Sequence, residues 1–594
     1  MMKLSFLKSA VALVTCGLIA FGVGQVQADE QKLPSGTPYD QIGQKIEDYY
    51  KKNEKTSAGM VTTIVDKDGQ TIYQKNFGYM DKEKKLAVDD NSVFEWGSVT
   101  KLTVWISVMQ LWEEGKIDFN TDIKDYLPKD FLKGKLKFDK PITMLDLMNH
   151  RAGFDEAELY MGTDKSLGQV LKKQPIFQSH EPGTTTAYSN YGTALAGYIV
   201  ERISGQKFAD YVHKHIFQPL GMNHTALLPD LSDNAYVAKK RKSEKAYDAE
   251  GKLIGEADFP YAFYPAGRAA GTLVDLKKFA QALLQKKRLF NRAETWASLY
   301  SASHTFPESD VPINAHGFWN VGTYKDRVLL GHSGNTSGFT SQLSLDLKSG
   351  VAMVILTNQL YEHNYTVKIP EMIFGKTEKT SDKTKTALRP GFYLPVRTIN
   401  HGPMKINRLF PQLTIYLDKH SKKLEENYWE VDTLQGKARI VSPITDYIQR
   451  SSLELVMDYG TVALWGLALL YTVLSLLIGL LLKIYRLIFK KKSKKPASFV
   501  WSIWHYVVSG LTLVSAFVLI FAFSQGLGES LTLPVMLFAA LLPLLFIGGI
   551  LPLFLKGHFS VRGGKKFLTY LTSTSALIVV CNILYWSLYQ WWLI

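Results

Sequence analysis

At 594 residues the chain is too long for one ordinary domain and has room for two or three. Apolar residues make up 46% and charged residues 21%, which excludes disordered and fibrous classes. Of the formal charge of +15, +10 falls in 459–594 and +2 in 1–28; the +3 left on the 430 residues between is too even for a nucleic-acid-binding surface.

Cys16 and Cys581 are the two cysteines, so the middle of the chain has no disulfide framework and no Cys-based zinc or redox site. Stability there rests on an ordinary hydrophobic core.

The first 28 residues read as a secretory signal: Lys3 and Lys8, an uncharged apolar stretch over 10–23, then Val26-Gln27-Ala28 as a small-residue cleavage site. A mixed α/β domain is expected over 29–375. Strands over 61–65 and 71–77 flank the turn Asp66-Lys67-Asp68-Gly69. Leu102, Trp105, Ile106, Met109, Leu111 and Trp112 stand at helical spacing and end at Gly115. A second helix is expected over 194–203, and a late hairpin joins 339–345 to 351–357. This order predicts a sheet whose first and last parts pair, with a helical insert. Residues 376–387 read as a polar linker and 388–458 as a small β-rich module approaching a membrane.

Four apolar runs, 460–482, 500–523, 533–555 and 568–592, are long enough to cross about 30 Å of hydrocarbon. Basic residues fill the gaps after the first and third; the second gap holds Glu529. The positive-inside tendency puts both basic gaps in the cytoplasm and 29–458 outside, as a signal sequence requires. The runs carry no acidic residue, so a lipid anchor or a docking bundle for a membrane-protein partner is expected rather than a transporter.

Three stretches can do chemistry. Ser98 and Lys101 lie one turn apart at the start of the first helix, where a partly buried lysine can serve as general base. Ser-x-x-Lys alone is weak, since it also occurs at Ser5–Lys8 and Ser204–Lys207. Tyr188-Ser189-Asn190 sits on a polar loop before the second helix. Gly331-His332-Ser333-Gly334-Asn335 enters the late hairpin, with small residues along which a substrate backbone can lie. Neither His-Glu-x-x-His nor Gly-x-Ser-x-Gly around Ser98 or Ser333 is present, so neither a metal nor an α/β-hydrolase triad is expected, and no cofactor is called for.

Taken together, Ser-x-x-Lys, Tyr-x-Asn and His-x-Gly in this order resemble the penicillin-recognising serine hydrolases, which include class C β-lactamases, D-alanyl-D-alanine carboxypeptidases and D-amino-acid peptidases and esterases. Thr143-Met144-Leu145-Asp146-Leu147-Met148-Asn149-His150-Arg151-Ala152-Gly153, Pro219-Leu220-Gly221-Met222 and Pro265-Ala266-Gly267-Arg268-Ala269-Ala270-Gly271 resemble the same family, over about 37–362. The resemblance implies a β-lactamase/transpeptidase-like α/β fold, a mixed antiparallel sheet with helices on both faces. It implies that Ser98 becomes acylated, that Lys101 and Tyr188 share the acid–base work, and that Asn190 binds substrate amide. It implies that His332, where lysine often stands, polarises Tyr188 or meets a substrate carboxylate, with Ser333 and Gly334 beside it. The N–H groups of Ser98 and Asn335 would form the oxyanion hole. Glu95, three residues before Ser98, is expected at the site mouth, binding a substrate amine or amide. Membrane-anchored peptidases acting on D-amino-acid-capped prodrugs are similar in layout. The expected partners are the bilayer and a small-molecule or peptide substrate containing a D-amino acid. The alternatives are a non-catalytic binding or sensor protein, and a hydrolase–exporter fusion.

Overall fold

The computed structural model describes residues 31–594 except 157–160, 257, 325–326, 377–388, 411–413, 418–429, 490–498, 525–531, 556–558, 560, 562 and 591–594. The expected signal sequence and all but the first residue of the expected linker lie outside the described residues.

A nine-stranded antiparallel sheet organises the first part of the chain. Its strands are β1 (Gly59–Val65), β2 (Thr71–Asp81), β3 (Leu86–Ala87), β4 (His304–Thr305), β5 (Pro312–Ala315), β6 (Phe318–Tyr324), β7 (Arg327–Asn335), β8 (Thr340–Asp346) and β9 (Val351–Thr357), in the order β3-β2-β1-β9-β8-β7-β6-β5-β4. The first and last strands meet where β1 pairs with β9, Met60 opposite Thr357. Because side chains alternate along a strand, β1 and β9 feed two cores. Met60, Ile64, Met353 and Ile355 pack with Ile42 and Ile46 of α1 (Tyr39–Asn53) and with Ile369 and Ile373 of α5 (Asn364–Phe374). Val61, Val65, Ala352 and Val354 face the helical insert, which supplies α2 (Lys101–Glu113), α3 (Asn190–Ser204) and α4 (Leu273–Gln285). Leu102, Val104, Trp105, Ile106, Val108 and Met109 of α2 are all fully buried, as are its Lys101, Thr103 and Ser107, so this helix runs through the core. Helices thus cover both faces of the antiparallel sheet.

A separate five-stranded antiparallel sheet follows: β10 (Gly391–Pro395), β11 (Ile415–Leu417), β12 (Glu430–Leu434), β13 (Lys437–Val441) and β14 (Tyr447–Gln449), in the order β11-β10-β14-β13-β12. Tyr393, Leu417, Ala438 and Ile440 form its core. It leans on the first part of the chain through backbone. The Tyr188 N–H donates to Ile444 O (2.8 Å), the Asp446 N–H donates to Thr186 O (2.9 Å), and Ala187 bridges Thr445.

Four helices among the described residues are long and apolar enough to cross a membrane: α6 (Ser452–Ile488), α7 (Phe499–Ser524), α8 (Thr532–Phe554) and α9 (Gly564–Tyr585). The first begins well before the apolar run that announces it, because Ser451 and Glu454 form a capping box. That early turn carries the buried Asp458, which accepts from Arg450 and from the Tyr585 hydroxyl (2.5 Å), with Arg408 3.5 Å away.

Candidate active site

Gly97, with φ +49°, turns the chain from a short strand into the single 3-10 turn Gly97–Thr100 that leads into α2. The turn presents Ser98, and Lys101 opens the helix behind it. Lys101 is fully buried. Its Nζ lies 3.1 Å from Ser98 Oγ, 2.7 Å from Asn190 Oδ1 and 2.5 Å from Ala266 O. Burial, reinforced by the Arg397 guanidinium and opposed by Glu156, holds this amine well below the ordinary lysine range. A neutral amine has two hydrogens. Asn190 Oδ1 and Ala266 O, which can only accept, use both, and the lone pair is left for the Ser98 hydroxyl.

On the other side, the Tyr188 hydroxyl donates to Ser98 Oγ at 2.7 Å. Burial pushes the Tyr188 phenol up, with the Ser98 hydrogen bond and Arg397 pulling the other way. Burial thus favours the neutral amine at Lys101 and the protonated phenol at Tyr188. Its ring is gripped by His150 (4.5 Å between centroids) and Trp319 (4.8 Å). His150 Nδ1 also accepts from the Ser189 N–H at 3.1 Å, fixing the Tyr-Ser-Asn turn. Asn190 is not on the loop expected from sequence. It is the first residue of α3, because Ser189 Oγ accepts from the Gly192 N–H and caps the helix one residue earlier.

Strand β7 closes the site. Past Gly331, which pairs with Trp319 of β6, the segment 332–335 is paired through β8, and its other edge faces Ser98. The approach is close: a Cβ added to Gly334 would lie 2.7 Å from Ser98 N, and one added to Gly97 would lie 2.7 Å from Asn335 N. The main-chain nitrogens of Ser98 and Asn335 therefore flank one narrow gap. Ser333 and Asn335 are exposed to the cleft.

Two expectations are corrected. Glu95 does not reach the site mouth: it is 1% exposed and pairs with Arg268 (3.2 Å) and Arg241 (3.3 Å). Two buried guanidinium groups hold the carboxylate inside, with Glu244 and Asp258 as their further carboxylate partners. His332 does line the cleft, but its ring is 1% exposed, stacks on Trp319 (4.8 Å, 15°) and shares a hydrogen bond with Ser333 O through Nδ1 (2.6 Å). Burial, with Lys101 adding to it, lowers its pKa to about 3, so it is neutral and offers no charge to a carboxylate. Its ring lies 6.1 Å from that of Tyr188, as a packing neighbour.

A family model described as beta-lactamase matches residues 44–373, more than half of the chain. The chain belongs to the beta-lactamase family. Members of this family are serine hydrolases. Among its relatives, the unguisins hydrolase of Aspergillus campestris is 27% identical over 344 residues, 55% of this chain and 63% of that protein. Penicillin-binding protein 4* of Bacillus subtilis is 24% identical over 367 residues, 56% of this chain and 77% of that one. Protein flp of Staphylococcus aureus is matched over 58% of its length, so the chain spans under two thirds of two of these three. The octameric penicillin-binding protein homologue from Pyrococcus abyssi is a structural neighbour with a TM-score of 0.49 and 18% identity, covering 69% of this chain and 99% of that one.

The beta-lactamase match ends at residue 373, but the cleft does not. A cavity of about 560 Å³ around Ser98, Tyr188 and Asn190 is also lined by Arg397 and Ile444, from the loops after β10 and between β13 and β14, and by Tyr261 and Tyr361. Arg397 reaches over Tyr188, its guanidinium carbon 5.0 Å from the ring centre, and ion-pairs with Glu156. Sequence reading missed both module residues, since neither belongs to a motif.

Proposed function

We propose that this protein is a membrane-anchored serine hydrolase that forms an acyl-enzyme on Ser98 and cleaves amide or ester bonds of substrates containing D-amino acids. The observation that carries the reading is the pair of contacts on Ser98 Oγ, Lys101 Nζ at 3.1 Å and Tyr188 at 2.7 Å. Neutral Lys101 takes the hydroxyl proton as Ser98 attacks the carbonyl. The N–H groups of Ser98 and Asn335 receive the developing oxyanion. Tyr188 hands its phenolic proton to the departing nitrogen or oxygen and recovers one from the Lys101 ammonium. Water then releases the acyl group by the reverse relay. Asn190 orients Lys101 and remains at the cleft wall to meet a substrate amide. The names of relatives favour this substrate class, among them penicillin-binding protein 4* and, at 26% identity over 36% of this chain, a putative D-alanyl-D-alanine carboxypeptidase of Salmonella schwarzengrund.

The four apolar helices serve as the anchor, and the basic gaps between them support an extracytoplasmic catalytic domain. Labelling intact cells with a membrane-impermeant fluorophosphonate tests activity and sidedness together. Labelling at Ser98 that Ser98→Ala abolishes is the expected result. An unlabelled protein, both in cells and in detergent, refutes the hydrolase reading, and labelling only after lysis refutes the topology.

A further inference from the structure

We propose that Arg397 is a specificity-determining residue that selects substrates whose leaving group carries a carboxylate, as a C-terminal D-amino acid does. The inference rests on the hydrolase reading above and narrows it.

Arg397 lies in the bend that follows β10, outside the beta-lactamase match. Its backbone N–H donates to Thr445 Oγ1 at 2.9 Å, which ties its main chain to the 444–446 segment beside Tyr188. Among the described residues lining the cleft it is the permanent cation: His332 is neutral by burial. Glu156 engages the guanidinium through Nε. No hydrogen bond reaches either terminal amino group among the described residues, and the side chain is 30% exposed. A guanidinium pinned at Nε with its outer edge open presents the planar fork that matches a carboxylate.

Its position indicates which half of the substrate it meets. Tyr188 supplies the proton to the departing atom, so the leaving group exits along Tyr188, and Arg397 stands over that ring. A carboxylate one residue beyond the scissile bond therefore meets the guanidinium. A neutral polyol leaving an ester, or the ammonia of a simple amide, has nothing to offer it.

The test uses the full-length protein in detergent and one acylated D-alanyl-D-alanine peptide in two forms, C-terminal acid and C-terminal amide. For wild type, kcat/KM favours the acid by about tenfold or more, as expected for a hydrogen-bonded charge pair. Arg397→Gln brings the acid-to-amide ratio close to one, and Arg397→Lys retains an intermediate ratio. A role confined to holding Tyr188 would change both rates and leave the ratio alone. A wild-type ratio near one overturns the proposal, as does a wild-type ratio in Arg397→Gln. If Arg397→Gln does not fold, Arg397→Lys decides: an intermediate ratio supports the proposal and a wild-type ratio overturns it. Fluorophosphonate labelling of Ser98 with neither peptide cleaved overturns the proposal and spares the hydrolase reading; absent labelling overturns both.

Discussion

The contact between β7 and the nucleophile turn leaves no room for a side chain, and Gly334→Ala measures what that contact does. A methyl group at 334 would stand 2.2 Å from Trp96 O, and 2.7 Å from both Ser98 N and Ser341 Oγ, whereas real Cβ contacts do not fall below 3.0 Å. Trp96 O is backbone, held also by the Ser341 hydroxyl (2.6 Å), so it cannot rotate away. The strand must retreat by at least 0.8 Å from the turn. The overpacking costs about 1–3 kcal/mol, which a large core absorbs. The chemistry is less tolerant. A misplacement near 1 Å costs about 100-fold in rate, and loss of one oxyanion donor costs about 100- to 1,000-fold. Stopped-flow acylation by a chromogenic β-lactam or an activated ester, with a thermal melt on the same sample, separates the two effects. Gly334→Ala should melt cooperatively, a few degrees low, and acylate at least about 100-fold more slowly. A folded variant acylating within threefold of wild type would refute the placement of the Ser98 and Asn335 nitrogens around the reacting carbonyl.

Two further outcomes follow from buried charges. With Lys101 as the base, acylation needs the neutral amine and is lost as pH falls through the lysine's own pKa. Since burial lowers that pKa, the pH–rate profile should already be on its plateau far below the ordinary lysine value of about 10.4; a profile still rising there would remove Lys101 from the role. Glu95→Ala removes the carboxylate that Arg241 and Arg268 share while leaving them Glu244 (3.7 Å) and Asp258 (3.2 Å), and should cost about 0.5–3 kcal/mol of stability by denaturant melt. An unchanged melt with a raised KM confined to amine-bearing substrates would instead return Glu95 to the site mouth.

What sequence revealed here was local. The apolar runs over 61–65 and 351–357 and the turn at 66–69 mark strands by residue type alone, and β1 and β9 stand there. Ser98, Lys101, Tyr188 and His332 are legible because each sits in a short pattern with a chemical reason for its spacing. The failures are long-range. Glu95 finds its partners 146 and 173 residues away, so nothing near it announces a buried ion pair. The neutrality of His332 depends on burial, with Lys101 from a distant part of the chain adding to it. Asn190 was misplaced by one structural step: Ser189 is an ordinary N-cap residue, but the apolar period that signals a helix starts only at Ala194. Asp458 escaped for the same reason, lying just ahead of an apolar run that the helix precedes by two turns.

The module after residue 388 changes how the anchor relates to the chemistry. At one end, Ile406 packs into the core of the helix bundle, Lys405 stands over Tyr585 and Trp586, and Arg408 and Arg450 converge on Asp458. At the other, Ile444 O receives the Tyr188 N–H, and Asp446 and Arg439 hold Thr186 and Thr184. The edge of chain that carries the catalytic phenol is therefore completed by a sheet whose other end is fastened to the membrane helices. A tether needs no such arrangement, since a flexible segment suffices to keep a hydrolase near a bilayer. On the proposed function, a folded module fixed at both ends would set the height and orientation of the cleft over the membrane, and its loops bring Arg397 and Ile444 to the cleft wall. On that same reading, the beta-lactamase part supplies the nucleophile with its base and acid, and the module supplies the charge that Arg397 is proposed to offer the substrate.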